Sequence, residues 1–226
     1  MIVTPSRWLA NLVAKACDER CRVEVIPNGI DTTAFRPVNR AQARKKLGLP
    51  SERKIVLFTA AKPSEKRKGI AYFFETLKYV QADSWMALAV GGKVDIARWV
   101  PYGVEVRQLG YVRGAEAMAK VYSAADLYCI TSLADNFPTT VLESMACGIS
   151  VVGFKVGGIP EQVSKDCGIL VEPQNAKALG KTLEKIINDE KMREKFGLNC
   201  RKRALENYSI EKFKERYIKL YKEILE

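Results

Sequence analysis

The chain has 226 residues, 47% of them hydrophobic, with 37 Lys and Arg against 26 Asp and Glu, a formal charge of +11 and no histidine. This length holds one large α/β domain or two small ones, and without histidine the Ser-His-Asp and Cys-His nucleophilic arrangements are excluded, leaving carboxylates, lysines, arginines and backbone groups as chemical tools. The basic residues are spread along helical segments among acids, with no aromatic-interleaved basic block, which argues against DNA or RNA and fits solvated helix faces, a phosphate-bearing ligand or an acidic membrane surface.

In chain order, Ser6 to Ala16 reads as an amphipathic helix capped by Ser6, with Trp8, Leu9, Leu12 and Val13 on one side. Val23 to Ile26 is a short strand stopped by Pro27-Asn28-Gly29, and Asn39 to Leu47 a basic helix ended by Gly48 and Pro50. From Lys54 the pattern alternates. Ile55 to Phe58 is a strand, Ile70 to Val80 a helix, Trp85 to Val90 a strand, and Val104 to Val106 opens a third that ends at Gly110. Ala115 to Ser123 is helix, Leu127 to Ile130 strand, Pro138 to Cys147 helix, Ser150 to Phe154 strand and Gly168 to Val171 a last short strand. Short continuous apolar strands alternating with helices predict an α/β fold, a Rossmann-like parallel sheet with helices on both faces. From Asn175 the chain reads as helical, closing with a tail capped by Ser209 that carries Phe213, Tyr217, Leu220, Tyr221 and Ile224 on one stripe.

The six cysteines, at 17, 21, 129, 147, 167 and 200, sit mainly in apolar settings and lack a Cys-x-x-Cys pair, so free thiols are expected rather than disulfides or a zinc site. The N-terminus does not read as a signal peptide, and no apolar run is long enough to span a bilayer. The expected location is cytoplasmic, with at most peripheral association at the inner face of a membrane.

Ligands of open parallel sheets bind beyond the carboxyl ends of the strands, so the loops there carry the candidate sites. The first, Ala60 to Gly69, holds four basic groups, Lys62, Lys66, Arg67 and Lys68, and leads into a helix whose free N–H groups favour an anion. It lacks the GxGxxG and GxxxxGK[ST] patterns. Leu109-Gly110-Tyr111-Val112 offers backbone to a nucleobase edge, and Lys155 to Glu161 contains a Gly-Gly turn that would let backbone approach a ligand closely. Between these lie two acids. Asp135 falls in the loop after the strand, and Glu143 lies on the helix face shared with Thr139, Thr140 and Cys147, its carboxylate leaning back toward the crevice. Taken alone, the two acids read more readily as a solvated turn residue and an exposed helix charge.

Ile26-Pro27-Asn28-Gly29-Ile30-Asp31, Lys68-Gly69, Tyr122-Ser123-Ala124-Ala125-Asp126, Asp135-x7-Glu143, Met145-Ala146-Cys147-Gly148 and Val156-Gly157-Gly158-Ile159-Pro160-Glu161 together resemble, in order and spacing, the GT-B-fold glycosyltransferases of family 4, also called group 1. The resemblance covers nearly the whole chain. It implies metal-independent transfer of a sugar, with retention, from a nucleotide diphosphate sugar such as a UDP- or GDP-linked hexose to a glycan or lipid-linked acceptor, without a separate cofactor. By similarity Lys68 holds the diphosphate, the Val112 backbone the base, Asp135 the donor sugar hydroxyls, the Phe137–Thr139 backbone the sugar and phosphate, and Glu143 the ribose.

Two departures bear on the donor. Asp135 stands where the family usually has glutamate, and Asn136-Phe137-Pro138 where it usually has Gly-Phe-Gly. The family's Gly-Arg is replaced near Ala60-Ala61, so Lys62, Lys66 or Arg67 would supply the second cation. The resemblance further assigns residues 1–37 to the end of an N-terminal acceptor domain and a linker, 38–206 to the donor domain and 207–226 to a C-terminal helix, which makes the chain a donor-binding half, weakly active or inactive by itself. The alternatives are a non-catalytic nucleotide-sugar-binding or interaction module and, less favoured, a GT-B epimerase.

Overall fold

The computed structural model describes residues 1–17, 21–60, 65–80, 85–92, 96 and 99–226. At the amino end β1 (Ile2–Thr4), α1 (Arg7–Ala16) and β2 (Val23–Val25) make a small parallel βαβ unit, with Ile2 opposite Val23 and Thr4 opposite Val25. Ser6 caps α1 by accepting from the Leu9 N–H at 3.1 Å, yet the helix buries no residue and leaves Trp8 and Leu12 exposed.

The rest of the chain builds one six-stranded parallel sheet. Its elements are α2 (Arg40–Leu47), β3 (Lys54–Ala60), α3 (Ile70–Leu77), β4 (Trp85–Gly91), β5 (Val106–Gly110), α4 (Ala115–Ala124), β6 (Leu127–Ile130), α5 (Thr139–Ala146), β7 (Val151–Phe154), α6 (Ile159–Gln162), β8 (Gly168–Val171), α7 (Ala176–Asn188), α8 (Glu190–Tyr208) and α9 (Ile210–Leu225). The strand order is β5-β4-β3-β6-β7-β8. The chain thus winds outward in one direction from β3, returns to pair β6 beside it, and winds outward in the other, the doubly wound Rossmann-like order.

Each central strand is apolar throughout because both of its faces are covered. Ile55 and Leu57 of β3 join a core with Tyr122 of α4, Leu142 and Met145 of α5 and Cys200 of α8. Val56 and Phe58, pointing the other way, join Phe73 and Leu77 of α3 with Leu179 and Leu183 of α7. The two layers expected from the sequence are therefore present.

A buried charge cluster pins α2 to the amino end of the sheet. The Asp126 carboxylate, just before β6, accepts from Arg44 at 2.7 Å, from the Ile55 N–H at 2.7 Å and from Arg40 at 3.1 Å. Arg44 also donates to the carbonyls of Ala124, Ser51 and Arg53.

Several boundaries differ from the expectation. β5 occupies Val106–Gly110 rather than starting at Val104: its register with β4 begins at Val106 opposite Ala87 and shifts between Ala89 and Val90. β1 was not anticipated; three residues carry no period, and pairing with β2 creates the strand. α3 stops at Leu77. The helical C-terminal region is broken at Asp189 and Ser209, each of which caps the helix that follows. α9 lies against the linker after β2: the Ile30 N–H donates to the Tyr208 carbonyl and the Ile210 N–H to the Ile30 carbonyl, at 2.8 and 3.0 Å. No helix among the described residues is long and apolar enough to cross a membrane.

Candidate functional site

The reversal of strand order between β3 and β6 opens a crevice at their carboxyl ends. A cavity of about 370 Å³ fills it, lined by Thr59 from β3, Gly91 from β4, Val112 after β5, Met118 of α4, Tyr128 of β6, Lys68, and Thr139, Thr140 and Glu143 of α5. Lys68, Val112, Thr139 and Glu143, far apart in sequence, thus share one chamber. Tyr111, 67% exposed, stands among its lining residues.

Lys68 is placed by a clasp between two loops. Residues Lys66–Lys68 form a single 3-10 turn ending at Gly69, whose φ of 66° is left-handed. The Leu133 N–H donates to the Arg67 carbonyl at 2.7 Å and the Thr131 hydroxyl to the Gly69 carbonyl at 2.9 Å. A Cβ at Gly69 would lie 1.9 Å from the Thr131 oxygen, so only glycine lets the loop after β6 close on this turn.

The Lys68 ammonium reaches Asp135 Oδ2 at 2.7 Å, and Ser132 donates to the same oxygen at 3.3 Å. Arg67 is 3.9 Å from it and pairs more closely with Glu65, at 2.9 Å. Asp135 lies outside the cavity lining but is tied to its edge through Lys68. Its backbone rests on the Gly-Gly turn: the Gly158 N–H donates to the Asp135 carbonyl at 3.3 Å, and a Cβ at Gly157 would stand 1.8 Å from that carbonyl. The sequence reading gave this turn's close approach to a ligand; in the fold, the close approach is to the Asp135 and Asn136 backbone.

Asn136, Phe137 and Pro138 face structural partners. Ser6 donates to the Asn136 side-chain oxygen. The Phe137 ring is buried edge-on against Tyr208, with centroids 5.7 Å apart. The Phe137 and Pro138 carbonyls accept from Asn28 and Gln162 at 3.3 and 3.1 Å. The first residues of α5, Thr139 and Thr140, carry this segment into the cavity. Lys62 lies outside the described residues.

Glu143 projects into the cavity with one oxygen engaged by the Tyr122 hydroxyl at 2.8 Å. Burial raises its carboxyl above the ordinary value, while hydrogen bonds from Tyr122 and Thr139 oppose that rise. Tyr128 shares its hydroxyl with Thr59 at 2.9 Å. Tyr128 and Thr59 carry no site signal in the sequence, because apolar neighbours make them read as core, and Tyr122 enters there only within the Tyr122–Asp126 motif, with no role attached. The described residues contain no group of three His, Cys, Asp or Glu placed to hold a metal ion.

A lysine held at the rim and a half-buried carboxylate thus face one crevice of a doubly wound sheet. The family described as "Glycosyl transferases group 1" matches residues 39–203. This chain belongs to the glycosyl transferases group 1 family. The match runs from the start of α2 through most of α8, and so takes in the whole six-stranded sheet. An uncharacterised glycosyltransferase of Methanocaldococcus jannaschii is 28% identical over 218 residues, 91% of this chain and 55% of the relative. Sucrose-phosphate synthase from Thermosynechococcus elongatus superposes with a TM-score of 0.88 at 26% identity, over 99% of this chain and 58% of that one. The Anabaena protein HepE, in complex with UDP-glucose, shares the fold with a TM-score of 0.85 at 21% identity, over 99% and 64%. The group 1 chain described here thus spans a little over half the length of these proteins.

Proposed function

We propose that this group 1 glycosyltransferase chain carries the donor site for a retaining, metal-independent transfer of a hexose from a nucleotide diphosphate sugar. The observation that carries the reading is the meeting of Lys68 and Glu143 in one cavity at the reversal of strand order. A nucleotide diphosphate needs a cation for its phosphates and an acceptor for its ribose hydroxyls, and these two residues supply them from opposite elements. The HepE complex with UDP-glucose supports a UDP-linked hexose as the donor class.

In this reading Lys68 takes the diphosphate, aided by Arg67 and the amino end of α3, and offsets charge that develops on the leaving group. The Val112 backbone meets the base, Glu143 the ribose, and the Phe137–Thr139 backbone the sugar and phosphate. Asp135 exchanges its contact with Lys68 for the donor sugar hydroxyls when the phosphates arrive. The acceptor is a glycan or lipid-linked sugar.

Calorimetry with UDP-, GDP- and ADP-linked sugars tests this. Glu143→Ala is expected to weaken nucleoside diphosphates and intact donors alike, and Asp135→Ala only the intact donors. Absence of binding at millimolar concentration, or equal effects of the two changes on both ligand types, would refute the assignment.

A further inference from the structure

Glu143 stands on the inward side of α5, and the group that holds it comes from α4. The Tyr122 side chain is fully buried and donates from its hydroxyl to Glu143 Oε2 at 2.8 Å. Tyr128 crosses the Tyr122 ring edge-on, centroids 5.8 Å apart, and Phe35 meets it edge-on at 6.4 Å. Rings packed in this way fix the direction of the phenol O–H. Tyr122 thus holds Oε2 from the buried side, while Thr139 of α5 also hydrogen-bonds the carboxylate at the cavity.

We propose that Tyr122 is a positioning residue of the nucleotide site: its hydroxyl orients the Glu143 carboxylate so that it accepts from the ribose hydroxyls of a nucleoside diphosphate. This rests on Glu143 being the ribose anchor. It goes further in assigning the orientation, and part of the ionisation, of that anchor to a residue with no ligand contact of its own.

The groups facing Glu143 are Tyr122 from α4, Tyr128 from β6, Thr139 and Cys147 from its own helix, and Lys68 from across the cavity. Burial pushes both phenols and the Cys147 thiol upward, which keeps all three protonated at neutral pH. Among these groups, Glu143 is the one left to titrate on the acid side, and the ligand's own terminal phosphate titrates alongside it equally in every variant. Burial raises its carboxyl and the Tyr122 hydrogen bond holds it down, so loss of the hydroxyl moves the acid limb of the binding profile to higher pH.

The test is calorimetry of UDP and 2′-deoxy-UDP, with GDP and ADP in parallel, on the 226-residue chain and its Tyr122→Phe, Glu143→Gln and double variants. Tyr122→Phe is expected to weaken UDP about tenfold, equivalent to about 1.4 kcal/mol. It weakens 2′-deoxy-UDP, which keeps only the 3′-hydroxyl, by a smaller factor, moves the acid limb upward, and adds no further loss to Glu143→Gln. Equal weakening of ribose and deoxyribose ligands, additive losses in the double variant, or an unmoved acid limb would overturn the inference. Should Tyr122→Phe fail to fold, the Tyr122 ring-carbon resonance of the unmodified chain decides. It must follow Glu143 ionisation and shift when UDP binds, and indifference to both overturns the proposal. If the unmodified chain binds none of the three nucleotides, the donor-site reading falls as well; if it binds and only Glu143→Gln weakens it, the positioning role alone falls.

Discussion

Asp126→Asn isolates the charge at the amino end of the sheet while keeping the side chain's shape. Asp126 and Arg44 are 1% and 7% exposed at their side chains, whereas Arg40 is 50% exposed. Turned with its oxygen toward Arg44 and the Ile55 N–H, asparagine retains both hydrogen bonds and presents its amide to Arg40, which can swing into water. The Ile55 bond becomes neutral and the Arg44 bond loses its anionic acceptor, a loss of about 1 kcal/mol apiece. Removing the counter-ion of a buried guanidinium adds to this, although less than the full cost of breaking a buried pair, because Arg44 keeps its backbone carbonyl acceptors. The expected destabilisation is about 3 kcal/mol, or a fall in Tm of roughly 6–12 °C for a chain of this size. Urea unfolding followed by far-ultraviolet circular dichroism measures it, with Arg40→Ala as the comparison at under about 1 kcal/mol. UDP affinity should not change, because Asp126 precedes β6 whereas the cavity lies beyond its carboxyl end. A loss below about 1 kcal/mol, or no larger than that of Arg40→Ala, would refute the clamp.

Three further outcomes are expected. Burial raises the Glu143 carboxyl above its unfolded value, so its ionisation costs stability once the pH exceeds the folded-state pKa, and the cost disappears below the unfolded-state pKa. Glu143→Gln should therefore stabilise the unliganded chain at neutral pH while weakening nucleotide binding, and a thermal melt showing lower stability at neutral pH would contradict this. Gly69→Ala places a Cβ 1.9 Å from the Thr131 oxygen at a left-handed φ, which should cost at least about 2 kcal/mol from strain and the displaced loop and weaken UDP through Lys68; unchanged unfolding and affinity would refute the clasp. Thiol titration should show Cys17 and Cys21, which are partly exposed, reacting first in the native chain, with the four buried thiols reacting at the same rate only in denaturant. Fast native reaction of all six would show the sheet to be looser than described.

Much of the fold was legible because the central strands carry an unmistakable pattern. Four-residue runs such as Leu127–Ile130 are apolar without alternation, and only a sheet covered on both faces buries such runs completely. Edge elements were less legible. β5 has exposed Arg107 and Gln108 in its middle, and β1 has too few residues to show a period, so their limits depend on the strand each one meets. In the site, Lys68 and Glu143 could be nominated from charge and spacing. The roles of neighbouring residues could not: Asn136, Phe137 and Pro138 sit between the two acids, yet Ser6, Tyr208 and Gln162 engage them from other elements.

The sequence by itself determined the parallel α/β class, because strand burial and helix spacing are local patterns, and it located the loops that bear charge, because turn and helix-start chemistry is local too. The tertiary structure alone decided which of those charges share a chamber. Strand order brings the loop after β3 beside the loop after β6. Packing between α4 and α5 then turns Tyr122, which reads as an ordinary core residue, onto the carboxylate of Glu143.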